Sequence, residues 1–212
     1  MSVSDPTLIA GAAQLGIELS GAQAQQLIRL LDELNDWNQR MNLTAIRERP
    51  AQITKHLLDS LSVQPFLHGE RVLDVGTGAG FPGLPLAIVN PSKLFVLLDS
   101  TAKKLKFIEH VCGLLELPNV QTVHTRAENF RPAQRFDIVL SRAVGPVEQF
   151  VKWAGHLSVG GGRLLAMKGR HPEAELASLP TGWKLAAVHR LDVPALDEER
   201  HLVELCRSHE RL

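Results

Sequence analysis

The sequence predicts an α/β fold, a mainly parallel sheet with helices on its faces and a helical extension ahead of it. Three observations carry that prediction. The first is Arg71-Val-Leu-Asp-Val-Gly-Thr-Gly-Ala-Gly-Phe-Pro-Gly83, where an apolar run rises to Asp74, breaks into glycines and continues as a second apolar run from Leu84 to Val89. Strand, glycine turn and helix in that order open a nucleotide-binding α/β unit. The second is Leu94-Phe-Val-Leu-Leu98, an unbroken apolar run of the kind found in parallel strands covered on both faces, ending in Asp99. The third is the ending, where Trp183 to Val193 and Arg200 to Arg207 read as two strands joined by Pro194-Ala-Leu-Asp-Glu-Glu.

The elements follow in order. Residues 1–65 read as helical. Pro6 starts a first helix carrying Leu8, Ile9, Ala12, Ala13 and Leu15, and Gly16 ends it. Ser20 caps a longer helix with the stripe Leu27, Leu30, Leu31, Leu34, Trp37 and Met41. A third begins near Pro50 and buries Ile53, Leu57, Leu58 and Leu61. Two polar clusters in this region exceed what packing needs: Trp37-Asn38-Gln-Arg40-Met-Asn42-Leu-Thr44 and His56-Leu-Leu-Asp59-Ser60. Residues 66–212 then form the α/β domain. After Asp99 comes a helix whose early lysines, Lys103, Lys104 and Lys106, oppose the helix dipole; they have another partner or form a solvated face. Val120 to Thr125 is a third strand, Phe136 to Leu140 a fourth, Val147 to Leu157 a helix and Arg163 to Met167 a fifth strand.

Composition narrows the class. With 212 residues, 44% hydrophobic and 22% charged, the chain can bury one full core. No apolar run approaches the roughly 18 residues that cross a bilayer, which predicts no membrane association. Cys112 and Cys206 form no metal or redox motif and read as core thiols in a reducing cytoplasm; nine scattered histidines give no zinc spacing. Net charge is zero, whereas proteins that grip naked nucleic acid are usually basic. An RNA substrate therefore requires a local basic face or a folded ribonucleoprotein.

The glycine spacing separates two cofactor classes. A dinucleotide site reads G-x-G-x-x-G; here Gly76, Gly78 and Gly80 fall as G-x-G-x-G with Asp74 two residues before the first. That pattern resembles the first motif of class I S-adenosylmethionine-dependent methyltransferases, in which the strand-end acid orients the cofactor's ammonium and the loop accepts its amino-acid moiety. Asp99, about 20 residues beyond the loop, suits a ribose diol in either class. It also suits an N-cap for the helix near Thr101. The bland alternative for the whole stretch is a glycine-rich turn without a ligand. No Asn/Asp-Pro-Pro-Tyr/Phe motif and no cysteine stands at the tip of the fourth strand.

The chain as a whole resembles the GidB-type bacterial enzymes, the methyltransferase G group acting on N7 of a guanine in 16S ribosomal RNA. The resemblance rests on Trp37-Asn38 with Asn42-Leu43-Thr44, His56-x-x-Asp59-Ser60, Asp74 through Phe81-Pro82-Gly83, Leu98-Asp99-Ser100, Ser141-Arg142-Ala143, Lys168-Gly169 and Val193-Pro-Ala-Leu-Asp-x-Glu-Arg200-His201-Leu202. It implies a Rossmann-like class I methyltransferase domain with a seven-stranded sheet closed by the final hairpin. It also implies S-adenosylmethionine contacts from Gly76, Gly78, Phe81, Ala127, Glu128 and Arg142, the ribose on Asp99 and the amino-acid end near Asp74. The implied partner is 16S rRNA, within the small subunit or its precursor, and neither DNA nor a membrane.

Guanine N7 has an in-plane lone pair and no proton, so no general base is expected. Arg142, Lys168 and Asn42 are the candidates for positioning the base or its phosphate. Arg142 alternatively serves only the cofactor, and Lys168 alternatively pairs with Asp59 or Glu148. Candidate RNA contacts are Arg40, Arg47, Lys103, Lys104 and Arg170, with Arg49, Lys55 and Lys106 beside them; each alone is more often a solvated surface charge than a phosphate ligand. His201 reads as structural, and His56 is expected to hydrogen-bond a polar neighbour. Competing functions are an NAD-dependent oxidoreductase and a non-catalytic ribosome-assembly module that kept the fold.

Overall fold

A computed structural model describes residues 5–142, 145–177 and 179–208. Helix α1 (Pro6–Gln14) is capped by the Asp5 carboxylate, and α2 (Gly21–Met41) by a reciprocal box between Ser20 and Gln23. The stripe on α2 is buried at Leu27, Leu30, Leu31 and Leu34, with Trp37 and Met41 only partly covered. On α1 the buried face is narrower than expected: Leu8 and Ala12 point inward, whereas Ile9 and Ala13 face solvent. Gly11 turns the helix that way, because it packs on Leu58 so closely that a Cβ there would lie 2.5 Å from Leu58 Cδ1.

The third helix starts as α3 (Arg49–Gln52), widens to a π turn over Ile53–Leu58 and finishes as α4 (Asp59–Leu61). Ile53, Leu57, Leu58 and Leu61 are buried as their spacing requires. A single-turn π segment displaces carbonyls from the regular ladder, which is why such turns gather at functional sites.

Seven strands form one sheet: β1 (Arg71–Val75), β2 (Leu94–Asp99), β3 (Val120–His124), β4 (Phe136–Arg142), β5 (Ser158–Lys168), β6 (Trp183–Arg190) and β7 (His201–Arg207). Their order is β3-β2-β1-β4-β5-β7-β6. The first five run parallel, and β7 is antiparallel to β5 and β6. Crossovers run through α5 (Gly83–Val89), α6 (Ala102–Leu114) and α7 (Val147–Ala154), and a short α8 (Glu173–Leu176) follows β5. Strand β5 begins earlier than its apolar run because Gly162 lies against the carbonyls of Phe136 and Asp137, where a side chain would clash. The sheet order reverses between β1 and β4, and ligands of such sheets bind at that crevice, at the carboxyl ends of the strands.

One apolar layer joins Leu8, Leu27 and Leu58 of the leading helices to Val72, Leu84 and Phe107, so the helical segment shares its core with the sheet. The other layer packs α7 on the opposite face, through Phe150 and Val151 against Leu73 and Val139. Cys112 and Cys206 are half-buried, more exposed than core thiols, and burial pushes the Cys112 thiol up to about 12. Among the described residues no helix is long and apolar enough to cross a membrane, and no group of three or more His, Cys, Asp or Glu side chains forms a metal site.

Candidate active site at the carboxyl edge of the sheet

The tip of β1 is a tightly bonded corner. Asp74 is fully buried, and its Oδ2 accepts from Thr77 Oγ1 (2.7 Å) and from Gly83 N–H (3.0 Å). Gly83 has no room for a side chain: a Cβ would collide with Leu97 and lie 2.9 Å from Asp74 Oδ2. Gly76, Gly78 and Gly80 take φ of +68°, +62° and +87°, the left-handed region where other residues are strained. Gly76 and Thr77 N–H both donate to Leu98 O, at 2.8 and 3.1 Å, tying the loop to β2. Asp74 Oδ1 has no hydrogen-bond partner among the described residues. Burial raises this carboxyl to about 6, against the downward pull of the Thr77 and Gly83 hydrogen bonds.

Beside the corner lies a cavity of about 370 Å³ between the tips of β1 and β2 and a helical turn at Ala127–Asn129. Gly76, Asp99, Ala127 and Glu128 are on its walls. Asp99 serves two local ends: Oδ2 accepts from Gly78 N–H (3.0 Å) and Oδ1 from Thr101 N–H (2.8 Å) at the start of α6. Each oxygen keeps a second lone pair for a ligand. Lys104 Nζ stands 3.9 Å from Asp99 Oδ2, which gives one of the early α6 lysines a partner; Lys103 and Lys106 remain exposed.

On the other side of β1 a larger cavity, about 690 Å³, opens over the tips of β4 and β5 and the π turn. Arg142 ends β4 and donates through Nη1 to the Lys55 carbonyl and to Asp59 Oδ2, both at 3.0 Å. Asp59, 2% exposed, accepts Arg200 Nε on its other oxygen at 2.9 Å. Arg200 also reaches Glu198 (2.9 Å), and Glu198 pairs with Lys55 (2.6 Å). A ring of four ion pairs closed by the Lys55 carbonyl thus ties the π turn, β4 and the β6–β7 connection together. Lys168 Nζ donates to Gly145 O (2.6 Å) and Glu175 Oε2 (2.8 Å).

The polar clusters of the leading helices support this wall. Asn38 holds both backbone groups of Thr44 at 2.9 Å, and Thr44 Oγ1 meets His56 Nε2 at 3.0 Å. His56 stacks on Phe81 with ring centroids 4.7 Å apart, and the Arg142 guanidinium lies 5.8 Å from the same ring. Burial first and the Arg142 charge second lower His56 to about 4, so the ring is neutral at pH 7. His201, 8% exposed, bonds Gly169 O at 3.0 Å, a structural setting.

Several expected residues sit elsewhere than the sequence suggested. Asp74 lines neither cavity; it lies enclosed beneath the loop. Phe81, 4% exposed, is sandwiched in the wall and lines neither cavity. Asn42 lines neither, because it ends α2 in a left-handed conformation, φ +48°, with its side chain in solvent. Lys168 pairs with Glu175 in place of Asp59 or Glu148. Arg49 is taken by Asp32 and Lys55 by Glu198. Arg40, Arg47, Lys103 and Arg170 are exposed. Ala143 of the fourth-strand motif lies outside the described residues. The site also contains Arg200 and Glu175, which the sequence reading left without a role. Arg200 was legible only as part of the terminal motif, and nothing local marks Glu175.

Residues 23–203 match the family model GidB, rRNA small subunit methyltransferase G. The chain is 51% identical over 191 residues to the protein named ribosomal RNA small subunit methyltransferase G of Aeromonas salmonicida, covering 90% of this chain and 92% of that one. Among solved structures it resembles the glycopeptide N-methyltransferase MtfA complexed with S-adenosyl-L-homocysteine (TM-score 0.59, 12% identity, 72% of this chain and 87% of that one). It also resembles TrmN from Thermus thermophilus (TM-score 0.57, 18% identity, 74% and 53%). The two structural likenesses concern the class I methyltransferase fold alone.

Proposed function

Since the chain belongs to the GidB family of small-subunit rRNA methyltransferases G, we propose that it methylates N7 of a guanine in 16S rRNA with S-adenosylmethionine as donor. The observation that carries this reading is the pair of cavities flanking β1, one beside two acids and a glycine loop, the other walled by cations. The first suits the adenosine half of the cofactor. Gly78 leaves open space where a Cβ would stand, Asp99 offers spare lone pairs for a ribose diol, and Ala127 and Glu128 edge the base. Asp74 acts from beneath, by fixing the loop through Thr77 and Gly83. When bound, the cofactor supplies an electrophilic methyl on a sulfonium.

In this reading the chain's own work is positioning. Arg142, held by Asp59 and the Lys55 carbonyl, lines the larger cavity at the tip of β4, the strand beside β1, and in this reading its guanidinium orients cofactor and target. Lys168 presents its ammonium to the nucleotide. An unprotonated guanine N7 needs no base, and the neutral His56 leaves the wall without a proton acceptor of ordinary histidine strength. Residues 1–65 serve as a helical extension of the methyltransferase domain, residues 66–212. Four cations on the larger cavity against a neutral chain suit RNA presented in the small subunit or its precursor, in the cytoplasm. The test is mapping of N7-methylguanine in 16S rRNA from cells with and without the protein. Loss of one site in the deletion supports the reading, and an unchanged map refutes it.

A further inference from the structure

Two anion-binding features converge on a single carboxylate in the larger cavity. Glu175 Oε2 accepts from Lys168 Nζ at 2.8 Å and from Val147 N–H, the first amide of α7, at 2.7 Å. A full cation beside the positive end of a helix is a donor set suited to phosphate. The occupant is loosely anchored for such a place. Glu175 belongs to α8, a four-residue turn on the surface, and its side chain is 34% exposed while Lys168 is 16% exposed. The cavity also carries a surplus of positive charge: Lys55, Arg142, Lys168 and Arg200 line it against Asp59, which two arginines share, Glu198, which Lys55 and Arg200 share, and Glu175. On the same wall His56, 6% exposed, leaves its buried Nδ1 without a hydrogen-bond partner among the described residues. Buried polar atoms are rarely left so.

Resting on the reading that this cavity receives ribosomal RNA, we propose that Lys168 and the start of α7 form a phosphate subsite, which Glu175 fills as an internal stand-in until an RNA phosphodiester displaces it. The exchange conserves the local charge pattern, because one singly charged anion replaces another on the same two donors. Glu175 then rotates into water, where a carboxylate is well solvated. Its departure also removes a negative charge from the path of the RNA backbone, where like charges repel. Glu175 therefore sets the threshold for entry: a phosphate positioned by the rest of the RNA competes, and a stray anion does not.

The experiment compares wild type, Glu175→Gln, Lys168→Gln and the double variant for KM toward 16S rRNA between 50 and 200 mM salt, concentrations over which phosphate contacts are resolved. Glu175→Gln keeps the shape and drops the charge. Its KM is expected to fall roughly three- to tenfold with the log–log salt slope unchanged, because the same phosphate sits on Lys168 in both complexes, whereas loss of Lys168 flattens the slope by about 0.7, one single-stranded phosphate contact. Lys168→Gln is expected to raise KM. Adding Glu175→Gln to it is then expected to change KM by less than about twofold, since both act through one pocket. Glu175→Asp, with charge kept and reach shortened, is expected to fall between wild type and Glu175→Gln. A rise in KM for Glu175→Gln, or an unchanged slope for Lys168→Gln, with S-adenosylhomocysteine binding intact, would reduce Glu175 to a brace and overturn the proposal. Failure of wild type to methylate rRNA at all would instead refute the functional reading, and filter binding of the same RNA would still judge the subsite.

Discussion

The glycine corner and the basic cavity share one edge of the sheet, but they are assembled differently. The corner is drawn from residues 74–101, a contiguous βαβ stretch, and its bonds run mostly from backbone N–H groups to two acids and one carbonyl. The cavity draws on the chain from Ile46 to Arg200 and is held by side-chain ion pairs across long sequence separations. A corner made of backbone is fixed by local sterics and tolerates little volume. A wall made of paired charges tolerates volume but depends on every partner being present. Each region should therefore fail in its own way.

The largest effect is expected from Asp59→Ala. It strands Arg142 and Arg200 beside each other, 25% and 19% exposed, without the carboxylate both use. Removing one partner of a buried pair costs about 3–5 kcal/mol, and partial exposure of both arginines moves the expectation to about 3 kcal/mol. Denaturant unfolding reads it directly. A loss below about 1 kcal/mol would mean that the ring contributes little and that the wall stands on packing. The corner should break sterically instead. Gly83→Ala forces a Cβ against Leu97 and the Asp74 carboxylate, an overpacking of about 1–3 kcal/mol. S-adenosylhomocysteine affinity, measured by calorimetry, should fall with it.

The same contrast explains what could be read from the sequence. Strand, glycine turn and acid are local patterns, so the positions of Asp74, Gly76 and Asp99 were legible from their spacing, as were the N-cap at Ser20 and the helix start at Pro6. Phe81 was assigned to the cofactor by resemblance, yet it stacks on His56 from a helix that precedes it. No periodicity encodes that meeting. Lys168 was legible as a cation at a strand tip, but its partner Glu175 comes from a surface turn whose sequence has no distinctive pattern. Asn42, a polar residue within a conspicuous cluster, has a local role as well: it ends α2 in the left-handed region.

A sharper comparison uses protons, because each region buries one group with a shifted pKa and the two shifts oppose each other. Asp74 in the corner is raised from 3.8 to about 6, chiefly by burial. Its folded form binds the proton more tightly than the unfolded chain, so its contribution is full below pH 3.8 and is lost as pH climbs toward 6. His56 in the wall is lowered from 6.5 to about 4, again chiefly by burial. Its contribution is full above pH 6.5 and is lost as pH falls toward 4. Between about pH 4 and 6 the two slopes have opposite sign and comparable size. Relative to wild type, His56→Asn should therefore show stability falling more steeply with rising pH in that window, and Asp74→Asn should show the reverse. The expected difference is roughly 2 kcal/mol across the window. Parallel curves for all three proteins would mean that neither group titrates as its burial implies.

The smallest effect on folding belongs to the exposed cations, and there the comparison turns from stability to binding. Arg40, Arg47, Lys103 and Arg170 are exposed, and among the described residues none lies within salt-bridge distance of a carboxylate. Replacing each with Gln should change unfolding free energy by less than about 0.5 kcal/mol, as for surface sites without a structural partner. If the RNA crosses the mouth of the larger cavity, the replacements that touch phosphate should flatten the salt dependence of RNA binding by roughly 0.7 to 0.9 per residue. Replacements outside the path should leave it unchanged. Lys103 lies on α6 next to Lys104, which lines the smaller cavity, whereas Arg170 follows Lys168 and Gly169, which line the larger one. A flattened slope for Arg170→Gln with an unchanged one for Lys103→Gln would confine the RNA to the side of the sheet where the charges are paired across long distances. The opposite pattern would run the backbone over the corner, and would assign phosphate binding to the region that local sequence builds.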